Sequence, residues 1–168
     1  MNIPNTEYAP FYANYVALAS KYNYNNALLD SLNEGLQLFK SISSEKEMYR
    51  YEPNKWTPKD VILHIVDAER IFQYRALRIA RGDKTALPGF EENSYVETAN
   101  ANSRTLNSII EEFKLVRTAT IQLFETFNEH QLLEIGTASD KTISVRALLP
   151  IIIGHQLHHQ NILNERYL

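Results

Sequence analysis

"KWTPKDVILHIVDAERIFQYRALRIARGD", residues 55 to 83, carries helix punctuation at both ends. Thr57 supplies an N-cap hydroxyl, Pro58 suits the first helical position, and Asp60 puts negative charge in the first turn. Gly82 is a natural stop, because the residue just past a helix often needs left-handed backbone. The spacing predicts one helix from Pro58 to about Arg81, with Val61, His64, Ile65, Ala68 and Phe72 on or beside its apolar face. The segment after this helix decides the architecture. "GDKTALPGFEENSY", residues 82 to 95, is far longer than the few residues that join antiparallel neighbours. Of two readings, a decorative surface loop and a crossover that leaves the next helix parallel to this one, the crossover is preferred.

Working outward, helical periodicity covers almost the whole chain. Residues 25 to 42 place Leu28, Leu29, Leu32, Leu36 and Phe39 at spacings of three and four. A further helix from about Ser103 to Phe127 has Leu106, Ile109, Ile110, Phe113, Val116, Leu123 and Phe124 on its apolar side. "GTASDKTIS" reads as a break, after which Ser144 caps a last helix from Val145 to about Arg166. Four long helices without a strand signal predict an all-α four-helix bundle with a long crossover between helices 2 and 3. Residues 1 to 168 read as a single domain, with the aromatic residues 1 to 24 forming a clasp on the bundle.

Composition excludes several classes of function. The formal net charge of −3, with no basic cluster, argues against a nucleic-acid binder, which needs cations to displace phosphate counterions. The chain has no cysteine, so disulfides, thiolate metal sites and a cysteine nucleophile are all ruled out. "MNIPNTEYAP" lacks the basic and apolar regions of a secretory signal, and "VRALLPIIIG" is far short of a bilayer span. These features predict a cytoplasmic protein without membrane or nucleic-acid partners.

Three of the five histidines fall in "GHQLHHQNIL", residues 154 to 163. On a helix, His155 and His159 lie about 40° apart, one turn above the other, in the sector of Leu148, Ile152 and Ile162. His158 falls toward the edge of that face, and His64 points inward from the second helix. An inward histidine can be a core residue bonded to a carbonyl. Burying three imidazoles without partners is costly, however, and one shared divalent cation would satisfy all three. The spacing of His155 and His159 is a chelating one. A zinc-peptidase reading fails because Gln156 stands where the general-base glutamate belongs. A dinuclear ferritin-like site fails too, since its Glu-x-x-His motifs are missing. His130 receives no role.

These residues resemble a known family. The 55–83 stretch, "PGFEENSYV" and "SVRALLPIIIGHQLHHQNILNERYL" are similar to the DinB-like superfamily of bacterial four-helix-bundle proteins. Trp56, Thr57, Asp60 and His64 match its W-[ST]-x-x-[ED]-x-x-x-H pattern, and the late helix matches its GHxxHH. The resemblance implies an up-down-down-up bundle and a divalent metal, zinc or nickel, held here by His64, His155 and His159, with His158 outside the ligand set. It also implies a homodimer. Similar proteins include thiol-dependent transferases and isomerases, such as mycothiol-dependent maleylpyruvate isomerase and bacillithiol S-transferases, and metal-dependent hydrolases.

Three imidazole ligands would leave a coordination position open for a water or a thiol cosubstrate. The activity that the resemblance implies is a thiol-dependent S-transferase acting on a small electrophile. Its rivals are a hydrolase of a small substrate and a non-enzymatic, metal-stabilised bundle. Asp67, Gln156 and Gln160 are candidates for the pocket or for orienting a ligand, and Asp67, Glu69, Gln156, Gln160, Glu91 and Glu92 for carrying protons; surface or salt-bridged roles are the alternative. Tyr12, Tyr15 and Trp56 could wall the pocket or belong to the core.

Overall fold

The computed structural model describes residues 3 to 168. Four long helices form the bundle: α2 (Ala27–Lys40), α3 (Pro58–Ala80), α5 (Leu106–Glu125) and α7 (Val145–Arg166). Among the described residues, three short α-helices join them: α1 (Ala13–Leu18), α4 (Glu92–Ala99) and α6 (Glu129–Leu133). Among the described residues, no helix is long and apolar enough to cross a membrane.

The ends of α3 fall where local chemistry sets them. The Thr57 hydroxyl accepts from the Asp60 amide at 3.2 Å, and the Asp60 carboxylate accepts from the Thr57 amide at 2.9 Å. At the far end Gly82 takes φ +81°. Its amide donates to the Ile79 carbonyl, and that of Asp83 donates to the Arg78 carbonyl.

Helix directions follow from the pairings. Asp60 meets Asn102, Arg70 meets Glu112, and Gln73 meets Val116 and Thr120, so partner numbers rise together and α3 and α5 run parallel. Trp56 meets Tyr167 while Phe72 meets His155, so α7 runs against α3. Leu28 meets Arg117 while Phe39 meets Phe113, so α2 runs against α5. Both α2 and α3 pack on α5 and α7, facing each other across the bundle. A buried ion pair ties three helices at the centre. Arg117 donates to both carboxylate oxygens of Glu69, at 2.7 and 2.8 Å, and to the Ser31 hydroxyl at 2.6 Å.

Two segments differ from the sequence expectation. The "GTASDKTIS" break is a hairpin: β1 (Ile135–Ala138) pairs antiparallel with β2 (Lys141–Ser144). Its turn residues Ser139 and Asp140 have φ of 52° and 60°, the left-handed pair that matches strand twist. Strands of four residues are too short for periodicity to reveal, and part of the support comes from far along the chain. Leu87 donates to the Thr137 carbonyl and accepts from the Ser139 amide. The crossover, read from the sequence only as a long polar connection, contains α4, capped by Glu91 through the Ser94 amide at 2.9 Å. Residues 13 to 21, α1 and the turn after it, pack on α7, and residues 5 to 7 pack on β2; residues 1 and 2 of the clasp expected over 1 to 24 lie outside the described residues. Glu7 pins the clasp there by accepting from Arg146 Nε at 2.7 Å and from the Ser144 hydroxyl at 2.7 Å.

Candidate metal centre

Helix α3 brings His64, and α7 brings His155 and His159, all three buried. One ring nitrogen from each falls within a sphere where all lie within 4.8 Å of one another. The Nε2 atoms of His64 and His155 stand 3.0 Å apart. For comparison, a tetrahedral ion with bonds of about 2.0–2.1 Å separates its nitrogen ligands by roughly 3.3 Å. Tyr15 meets the His155 ring edge-on at 5.5 Å, Phe72 meets it at 6.0 Å, and Trp56 lies 4.9 Å from His64 and stacks on His159 at 6.3 Å.

Burial sets the protonation of the cluster. Desolvation, with the charge of His158 added, pushes His64 down to about 4. Desolvation, with His64 and His158, pushes His159 down to about 2, and desolvation holds His155 well below the usual histidine range. All three rings are therefore neutral near neutral pH, each with a ring lone pair to offer. That donor set fits a divalent cation of borderline softness. The Glu92 carboxylate stands 3.9 Å from His64 Nε2. With His64 neutral, this is a charge–dipole contact and not an ion pair.

Among the described residues, a larger and a smaller cavity reach the cluster. The larger, about 410 Å³, meets His64 and His155 and is walled by Phe11, Tyr12, Tyr15 and Phe72. The smaller, about 290 Å³, meets His159 between Trp56, Tyr51 and Tyr167. Glu92 lines both.

Over residues 27 to 163 the sequence matches the family model described as the DinB superfamily. The chain belongs to the DinB superfamily. Among solved structures it is similar to YfiT from Bacillus subtilis, described as a probable metal-dependent hydrolase with an unusual four-helix bundle topology. That match has a TM-score of 0.71 at 15% identity and covers 95% of this chain and 91% of the other. No curated protein matches the sequence.

In this DinB superfamily member the three inward histidines meet, and His158 stays outside the cluster, its ring 5.0 Å from that of His159. His130 is exposed beside Glu134. The other candidates divide. Tyr12, Tyr15, Trp56, Glu91 and Glu92 line a cavity. Asp67 is not brought to the imidazoles: it accepts from Arg70 at 3.4 Å on the side facing Glu112, and burial raises its carboxyl. Gln156 turns toward α2, donating to the Ser31 carbonyl at 2.7 Å and to Gln160 at 3.1 Å, and neither glutamine lines the two cavities at the cluster. Glu69, a candidate proton carrier, is committed to Arg117. Arg75 and Ser139, both on the larger cavity, escaped the sequence reading. Arg75 had a signal there, since it lies eleven residues after His64 in one stripe with Ala68 and Phe72. Ser139 had none, because a hairpin turn is placed only by tertiary packing.

Proposed function

We propose that this protein is a divalent-metal-dependent enzyme acting on a small molecule, with His64, His155 and His159 as ligands and a low-molecular-weight thiol as cosubstrate. The observation that carries this reading is the pair of cavities converging on one cluster, one at His64 and His155 and the other at His159. Two approaches to one centre suit a reaction in which two small molecules meet. A bound divalent cation supplies Lewis acidity, which holds a thiol or water as its anion near neutral pH.

The chain's own residues do the rest. The three neutral imidazoles hold the cation without adding negative charge, so the centre keeps its electrophilicity. Tyr15, Phe72 and Trp56 exclude bulk water around the rings, which strengthens every charge interaction there. Glu92, 3.9 Å from His64 Nε2, is placed to accept the proton given up by an incoming nucleophile. With no cysteine in the chain, the reacting sulfur has to come from a cosubstrate.

A second reading, hydrolysis of a small substrate, is favoured by the same Glu92, which could serve water as well as a thiol. It also agrees with the description of YfiT. Metal content of untagged protein, compared with His64→Ala and His159→Ala, tests the shared premise. About one equivalent in wild type, lost in both variants, is expected. No uptake of Zn²⁺ or Ni²⁺ by wild type overturns the reading. Stoichiometric consumption of a thiol then separates transfer from hydrolysis.

A further inference from the structure

Arg75 is only 2% exposed, yet it lines the larger cavity. Among the described residues its partners are three neutral oxygens. Nη2 donates to the Pro88 carbonyl and the Ser139 hydroxyl, each at 3.0 Å, and Nη1 reaches the Tyr12 hydroxyl at 3.5 Å. Arg117, the other deeply buried guanidinium, has a carboxylate matched to it on two oxygens. A buried cation given only neutral acceptors is expensive, and buried charges are normally paired. The cavity is where a counter-charge can enter.

The other cavity groups set the shape of what enters. Phe11, Phe72 and Phe90 give the cavity apolar walls, with the centre of the Phe72 ring 6.0 Å from the guanidinium carbon. The two acidic groups on the cavity are otherwise placed: Glu91 caps α4, and Glu92 stands at His64. Eleven residues at 1.5 Å each separate Arg75 from His64 by about 16 Å of helix axis. Side chains on a helix lean toward its N-terminus, so the guanidinium reaches back toward the histidines.

We infer that Arg75 anchors a carboxylate of the substrate. The substrate class is then a small molecule with an anionic end at Arg75, an apolar middle, and its reacting centre at the histidines. This deepens the metal-enzyme reading and rests on it for the reacting centre only. The carboxylate anchor itself can be tested without metal.

Calorimetry on metal-free protein would compare phenylbutyrate with the neutral phenylbutanamide. Wild type is expected to prefer the carboxylate by about tenfold or more. Arg75→Gln should lose that preference. Arg75→Lys should keep a smaller one. Ser139→Ala removes one of the structural ties of Arg75 but not its charge, and should keep the full preference. Absence of a preference in wild type, or its survival in Arg75→Gln, overturns the inference. Cobalt(II) titration of wild type keeps the two ideas apart. Carboxylate preference without cobalt binding sinks the metal reading and supports the anchor; cobalt binding without carboxylate preference does the reverse.

Discussion

At the scale of single residues, Gly154 is the most constrained position beside the cluster. The backbone of Tyr15 on α1 lies directly against it, so a Cβ there would overlap the Tyr15 carbonyl group. Backbone cannot swing aside as a side chain can. Gly154→Ala is therefore expected to push the clasp off α7 and cost about 2–3 kcal/mol in urea unfolding. It should also remove Tyr15 from the edge of His155. A cost within about 0.5 kcal/mol would mean that the clasp contributes little to this face. The glycine of the sequence motif thus has a packing reason, but that reason was not legible in the sequence, because nothing local says which backbone crosses there.

At the scale of elements, the clasp is pinned by an ion pair that ought to be pH-sensitive. The Arg146 hydrogen bond holds the Glu7 carboxyl below its usual 4.5, burial opposes this, and the Ser144 hydroxyl adds to it. The folded pKa is depressed, so the folded state binds fewer protons than the unfolded chain. The pair's contribution is therefore fully present above 4.5 and is lost as pH falls through the lowered folded value. Glu7→Gln is expected to unfold more easily than wild type at pH 7, by on the order of 1 kcal/mol. The two melting curves should converge in acid below that value. A gap that stays constant across the titration would show that shape, not charge, ties the clasp down.

At the scale of the whole molecule, the cluster joins helices distant in sequence, so a cation there would hold the bundle together. Anything that binds only the folded state stabilises it by mass action, about 2.7 kcal/mol at one hundred times Kd. Zn²⁺ or Ni²⁺ should therefore raise the melting temperature of wild type and leave that of His155→Ala unmoved. Without metal the variant should differ much less from wild type, because its lost imidazole was desolvated and neutral. An equal rise in both proteins would place the ion elsewhere.

Features that depend on neighbours within a turn or two were legible in the chain of residues alone. The cap at Thr57 and stop at Gly82 bound α3, and the one-turn spacing put His155 and His159 on one face, because helical geometry is set by local hydrogen bonds. The length of the crossover carried the parallel run of α3 and α5 for the same kind of reason: a long connection can reach the far end of the bundle. Arg75 escaped that reading, although it lies three turns along the stripe of His64. Relations between elements came from packing. Packing turned Asp67 and Glu69 away from the imidazoles, set Glu92 at the seam of two cavities, folded residues 135 to 144 into a hairpin that delivers Ser139, and closed His64 onto His155. Those distances depend on how helices pack and where the crossover lies, and no periodicity within one helix encodes them.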